Sequence, residues 1–220
     1  EAGDLLYKYA INIVNSCEMA KFDLAAHKGR IQGHLNIFSS SVPRKYILPQ
    51  IIKDFSTNYP EVSFTLSYKD SKNVVQSILD ADTDFGVVGA MYPSNSLDYI
   101  ELMEEQLVLI TPNNSYYSKP NYSSLKLDTI LKEKFIFREK GSGTRDLLEK
   151  NLKEKGIDVN KLSIFAYIED TETIKELVSL GLGISFISQK AIKDDVKVGK
   201  YKVYYVDNLN LYRKFYFVYH

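Results

Sequence analysis

Residues 135–155, FIFREKGSGTRDLLEKNLKEK, combine an apolar strand, a loop of small residues and a polar helix. The strand is predicted over Phe135–Arg138 and the helix over Arg145–Lys155, which Gly156 ends. The loop between them is Gly141-Ser142-Gly143-Thr144. A strand that leads through a short loop into a helix is the unit of α/β proteins, and such sheets bind ligands at the carboxyl ends of their strands. This stretch therefore predicts an α/β fold with a ligand-binding loop.

The same alternation occurs on both sides of a break at residues 112–115. Predicted strands lie at residues 34–38, 62–68, 84–89, 107–111, 135–138, 163–168, 184–187, 201–206 and 212–219. Predicted helices lie at residues 43–58, 72–81, 125–132, 145–155 and 171–180. The apolar run at 84–89 is typical of a buried strand of a parallel sheet. The pattern predicts two similar α/β halves.

A long helix is predicted before the first strand. Leu6, Ile13, Cys17 and Leu24 recur at helical spacing in a stretch without proline, and Gly29 is the predicted end of the helix. A helix of about 25 residues exceeds the usual length of about 11 to 12. We expect a connector or dimer helix, although a helix that packs on its own domain stays an alternative.

Composition excludes several classes of protein. The 28 basic and 28 acidic side chains give no net charge, which disfavours binding to a nucleic-acid backbone. A single cysteine and three histidines without ligand spacing predict no metal site. No apolar run is long enough to cross a membrane. No catalytic or dinucleotide-binding signature is present, so we expect neither an enzyme nor a cofactor.

Two strand-to-helix loops carry the strongest chemical signal. Ser39-Ser40-Ser41 and Gly141-Ser142-Gly143-Thr144-Arg145 each offer hydroxyls and the N–H groups of a helix start, which suit an anion. Thr171 is a third hydroxyl at a helix start. Each of these hydroxyls could instead serve only as a helix cap. The prediction of an anion site therefore depends on finding three hydroxyl-bearing helix starts in one two-lobed pattern.

The motifs, in order, resemble the regulatory domain of LysR-type transcriptional regulators. The stretches that carry this resemblance are GHLNI at 33–37, SSS at 39–41, YILP at 46–49, DFGVVG at 84–89, FREKGSGTR at 137–145 and GLGISF at 181–186. The stretch at 137–145 is similar to the subgroup tied to sulfur assimilation and carbon fixation.

The resemblance implies a two-lobed, periplasmic-binding-protein-like fold. Each lobe would be a mixed, mostly parallel sheet flanked by helices. Residues 1–30 would be the linker helix, 31–111 with 207–220 subdomain I, and 112–206 subdomain II. In the family a ligand lies between the lobes, and the matching residues here are Ser39, Ser40, Ser41, Gly89, Ser142, Gly143, Thr144, Arg145 and Thr171. Arg145 could face a carboxylate instead.

The resemblance further implies a cytoplasmic effector-sensing domain without contact to a membrane. We expect a small anion as effector, a homodimer or tetramer, and DNA contact only through a missing N-terminal winged helix-turn-helix domain. The family's C-terminal helix would be absent or trimmed. The alternatives are a solute-binding protein for an oxyanion and an enzyme on the same fold; the absence of catalytic motifs disfavours the enzyme.

Overall fold

The structure is a computed structural model that describes residues 2–27, 31–113 and 119–220. The chain divides into two compact units, Glu1–Asn36 with Pro49–Thr65 and Ile37–Leu48 with Leu66–His220. The predicted helix end at Gly29 and the predicted break at Asn114-Ser115 lie outside the described residues.

The α-helices and β-strands alternate as the sequence predicts. The helices are α1 (Ala2–His27), α2 (Ser41–Tyr46), α3 (Leu48–Asn58), α4 (Ser71–Leu79), α5 (Leu127–Ile130), α6 (Gly143–Glu154) and α7 (Thr171–Ser179). The strands are β1 (Gln32–Ser39), β2 (Glu61–Tyr68), β3 (Phe85–Val88), β4 (Asp98–Pro112), β5 (Ser123–Leu125), β6 (Lys134–Arg138), β7 (Ser163–Ile168), β8 (Ser185–Ser188), β9 (Tyr201–Val206) and β10 (Tyr212–Tyr219). Two short 3₁₀ helices cover Val159–Lys161 and Gln189–Ile192.

The smaller unit holds α1 and most of α3. In α3, Phe55 packs against Tyr59 and Phe64, with ring centroids 4.6 and 5.9 Å away. Along α1 the apolar side chains of Leu6 and Ile13 are 70% and 64% exposed. The face of α1 that carries these two side chains is therefore open to solvent.

The larger unit contains two sheets. One follows the order β1-β3-β10-β4-β9-β5, with β8 also paired to β4, and the other joins β6 to β7. The pairs β1–β3, β5–β9 and β6–β7 are parallel, whereas β4 and β10 are antiparallel to their neighbours. The sheets are thus mixed, with more antiparallel pairing than expected, because two long strands cross the unit.

Two predicted elements differ clearly from the structure. The helix predicted over residues 43–58 is two helices, with Ile47 between them at φ −120°. Pro49 explains the break, because a proline lacks the N–H that would continue the helix and disfavours helical backbone just before it. Strand β4 begins at Asp98 rather than near Leu107. Its first half, DYIELMEE, mixes charged and apolar residues and is mostly exposed, so no long apolar run marks it.

The core of the larger unit lies on both faces of β4. Leu107 and Leu109 pack in one buried cluster with Phe135, while Val108 and Ile110 pack in another with Ile136. Because successive side chains of a strand point to opposite faces, an unbroken apolar run marks a strand that is buried on both. Among the described residues, no helix is long and apolar enough to cross a membrane.

Candidate functional site

A small cavity of the larger unit gathers residues from both predicted loops. It is lined by Ser40, Ser41, Val42, Asp70, Ser71, Arg138, Ser142, Gly143, Thr144, Arg213 and Phe215. Its volume is about 10 Å³, which is room for about one water molecule. The starts of α2, α4 and α6 meet here, so helix N-termini surround the space.

Two buried serines on this cavity have no hydrogen-bond partner for their hydroxyls among the described residues. Ser40 and Ser142 occupy the cap positions of α2 and α6, and neither side chain caps its helix. They are 8% and 4% exposed. Buried polar groups normally find a partner, so these two hydroxyls are the clearest sign of a ligand position.

Arg138, at the end of β6, directs one nitrogen toward this cavity. Its Nε and Nη2 atoms donate to the Glu139 carboxylate, each over 2.7 Å. Its Nη1 donates to the Ser41 hydroxyl over 3.0 Å, and Arg138 is 5% exposed. Two nitrogens of the guanidinium thus bind the Glu139 carboxylate in a bidentate pair, and the third donates to the Ser41 hydroxyl in the cavity.

Arg213 repeats this arrangement from β10. Its Nε donates to Glu105 over 2.7 Å, and its Nη1 donates to the Thr144 hydroxyl over 2.9 Å. The arginine and glutamate side chains are 7% and 2% exposed, and Ser188 also donates to Glu105. A second arginine is therefore held by its own buried carboxylate beside the cavity.

The charged side chains at the cavity are not net positive, because two arginines face three carboxylates. Each arginine has a carboxylate partner, and Asp70 adds a carboxylate to the lining itself. Asp70 caps α4 by accepting a hydrogen bond from the Asn73 N–H over 3.0 Å. Recognition here would depend on N–H and O–H donors more than on net charge.

Five of the nine residues predicted for the ligand site line the cavity, namely Ser40, Ser41, Ser142, Gly143 and Thr144. Ser39 does not, because its hydroxyl donates to the carbonyls of Val87 and Ser40, each over 3.2 Å. Gly89 also lies outside the lining, but its carbonyl group packs next to Gly143, which is part of the lining. A Cβ on Gly143 would lie 2.9 Å from the Gly89 carbonyl oxygen.

Arg145 and Thr171 take other partners. Arg145 donates to Glu149 over 2.6 Å, and its guanidinium lies over the Tyr167 ring, 4.5 Å from the centroid. This is the carboxylate contact that the sequence left open. Thr171 accepts from Arg138 Nη1 over 3.5 Å, and the cap of α7 is Asp170, one residue earlier.

Sequence reasoning missed both arginines of the lining, together with Asp70, Ser71 and Phe215. Arg138 is the last residue of a predicted strand, three positions before the predicted loop begins at Gly141, so its position was a usable signal. Arg213 lies inside β10, and its neighbours in sequence carry no sign of the cavity. Among the described residues no group of three or more histidine, cysteine or acidic side chains could hold a metal ion.

Comparison with known proteins places the chain among regulators. A family model described as LysR substrate binding domain matches residues 28–220. The uncharacterized HTH-type transcriptional regulator MJ0300 of Methanocaldococcus jannaschii is 31% identical over 216 residues, covering 98% of this chain and 72% of that protein. HTH-type transcriptional regulator CysL of Bacillus subtilis is 27% identical over 212 residues, covering 96% and 69%. These relatives are regulators and not enzymes.

A solved structure shares the fold. The regulatory domain of CcmR from Synechocystis PCC6803, in complex with 2-PG, aligns with a TM-score of 0.74 at 23% identity, covering 85% of this chain and 87% of that one. The predicted periplasmic-binding-protein-like α/β class is confirmed. Helix α1 lies before the range of the family match, so its role as a linker helix stays a prediction.

Proposed function

The chain belongs to the family of LysR substrate-binding domains, and we propose that its effector is a small anion bound in the cavity at Ser40 and Ser142. As a LysR-type effector-binding domain, it would control DNA binding by a helix-turn-helix domain elsewhere in the regulator. The single observation that carries the choice of site is the pair of buried serine hydroxyls without a partner in the described residues.

The chemistry of the lining supports an anion. Two helix starts supply N–H donors and partial positive charge. Arg138 and Arg213 each hold a cavity hydroxyl through Nη1, so the hydroxyls of Ser41 and Thr144 keep their own protons for a ligand. Sulfate, sulfite, phosphate and short carboxylic acids all match such a donor set.

Binding would act by shifting a population. A ligand that prefers one arrangement of the cavity walls stabilises that arrangement, and the rest of the regulator responds to it. The relatives named as HTH-type transcriptional regulators favour this role over transport by a solute-binding protein.

The exposed face of α1 supports the proposed dimer. Leu6 and Ile13 are largely exposed within the chain, and an apolar helix face of this kind is usually buried by a partner. We expect Leu6→Glu with Ile13→Glu to weaken self-association in sedimentation. A monomeric unmodified chain at high micromolar concentration would contradict the dimer.

A hydroxyl deletion tests the site. We expect Ser142→Ala to weaken anion binding about tenfold or more, because a hydrogen bond to a charged group contributes roughly 1.5 to 3 kcal/mol. Thermal shift with sulfate, sulfite, phosphate and short carboxylates identifies the anion, and calorimetry measures its affinity. Since Ser142 makes no cap hydrogen bond, the stability of the unliganded domain should hardly change.

Ser39→Ala is the matched control. Ser39 is as buried as Ser142, but its hydroxyl faces carbonyl oxygens and lies outside the lining. Its loss should lower stability and leave anion affinity unchanged. Equal effects of the two substitutions on affinity would show that the anion lies elsewhere.

A further inference from the structure

Three tyrosines outside the cavity lining each donate a hydroxyl to a carboxylate on another segment of the larger unit. They come from three separate elements: the end of α2, the end of β2 and the loop after β3. The hydrogen bonds are Tyr46 to Glu172 (2.9 Å), Tyr68 to Glu139 (3.0 Å) and Tyr92 to Asp146 (2.6 Å).

The three bonds join the same two walls. We define the first wall as residues 40–46, 68–71 and 89–92, and the second wall as residues 138–146 and 170–172. All three tyrosines belong to the first wall and all three acceptors to the second. Both walls lie in the larger unit and supply the serines of the lining.

Two of the three acceptors make further contacts that tie them to the walls. Glu139 is the partner of Arg138, which holds Ser41. Glu172 follows Thr171 and also binds Lys45 of the first wall over 2.6 Å. A movement that parts the walls would therefore break the tyrosine bonds and disturb the cavity hydroxyls together.

The protonation states suit these bonds. Burial, then the hydrogen bond to Glu172, raises the pKa of Tyr46, and burial with the Asp146 carboxylate raises that of Tyr92. For Tyr68, burial raises the pKa to about 12, although Arg138 opposes the shift. All three phenols are therefore neutral donors at physiological pH.

We propose that Tyr46, Tyr68 and Tyr92 clasp the two walls and thereby control the access of an effector to the cavity. The inference rests on the proposed function for the identity of the cavity as the effector site. The clasped cavity of about 10 Å³ admits one water-sized group. A tetrahedral oxyanion is larger than water, so it enters only when the walls part and the tyrosine bonds open.

The clasps lower the fraction of molecules that is competent to bind. Apparent affinity falls in proportion to that fraction. Removing the hydroxyls should therefore raise both the frequency of opening and the rate of ligand entry. The tyrosines thus control entry from outside the cavity lining.

Amide hydrogen exchange in the absence of ligand tests the clasps directly. We compare the unmodified chain with Tyr46→Phe, Tyr68→Phe, Tyr92→Phe and the triple variant, following peptides that contain residues 39–48 and 138–147. Each single substitution should speed exchange about tenfold or more, because a hydrogen bond to a charged group contributes roughly 1.5 to 3 kcal/mol. The triple variant should exchange faster than any single variant, although coupled sites need not add fully.

Tyr201→Phe is the matched control. Tyr201 also donates to a carboxylate, Asp195, over 2.7 Å, but neither residue belongs to the first wall. This variant should lose global stability without faster exchange at the walls, and denaturant unfolding of every variant separates the two effects. Unchanged exchange in the folded triple variant, or equal acceleration by Tyr201→Phe, overturns the clasps.

Sulfate is the probe for access. Stopped-flow binding of sulfate should be at least about tenfold faster with the triple variant than with the unmodified chain. An equal rate despite faster exchange overturns the role in access. If the unmodified chain and the triple variant both fail to bind sulfate or any other anion of the panel, the proposed anion effector fails, while the exchange experiment still decides whether the clasps exist.

Discussion

The buried ion pair between Arg213 and Glu105 offers a sharp test of the energetics. The two residues face each other across β10 and β4, and their side chains are almost fully buried. Arg213→Met keeps most of the apolar stem but removes the charge. Among the described residues, Glu105 then keeps only the Ser188 hydroxyl as a partner.

The expected cost follows from burial. Removing one partner of a buried pair leaves an uncompensated charge and costs about 3 to 5 kcal/mol of unfolding free energy. Replacing both residues, as in Arg213→Met with Glu105→Met, should cost much less than the sum of the single changes, because no lone charge remains. The double-mutant cycle therefore separates the interaction energy of the ion pair from the packing energy that each substitution removes.

An adjacent pair on the same strands is the control. Lys214 and Glu101 are 2.7 Å apart, but their side chains are 42% and 48% exposed. Lys214→Met should cost far less than Arg213→Met, because solvent screens an exposed pair. Urea unfolding at neutral pH measures both. If Arg213→Met costs no more than Lys214→Met, the reasoning from burial is refuted.

Other substitutions and pH changes give simpler outcomes. Gly143→Ala should destabilise the domain by about 1 to 3 kcal/mol in urea unfolding, because its Cβ would approach the Gly89 carbonyl too closely. Asp170→Ala should cost about 0.5 to 2 kcal/mol in the same assay, because the carboxylate caps α7 through the Thr173 N–H. Burial opposes ionisation of Glu172, yet hydrogen bonds from lysines and a tyrosine outweigh it and lower the pKa from 4.5. Its stabilising effect is therefore complete above about pH 4.5 and is lost as pH falls through the lowered value, which a pH series of melting temperatures measures against Glu172→Gln.

Local patterns predicted most of the elements. Strands β9 and β10 have the predicted bounds, and Gly181 follows α7 at φ +80°, as a helix end requires. The predicted bounds are wrong where pairing with a strand distant in sequence determines the secondary structure. The first half of β4 is a strand because β10 pairs with it from Asp98 onward, and no run of its own residues signals that.

The site divides in the same way. The loops at Ser40–Ser41 and Ser142–Thr144 were predictable, because small hydroxyl residues at helix starts have a local chemical meaning. Ser39 looked equivalent to its neighbours, yet strand pairing turns its hydroxyl to the Val87 carbonyl. Arg145 looked like an anion ligand, but one helical turn brings Glu149 to it instead.

The sequence by itself determined the α/β order, the family resemblance and the helix starts that gather donors, because these depend on neighbours a few positions apart. Only the tertiary structure decided that Arg213 stands beside Thr144 and that the tyrosine of each clasp reaches its carboxylate. Those partners lie between 54 and 126 positions apart along the chain. Contacts over such separations depend on how strands and helices pack, and no local preference encodes them.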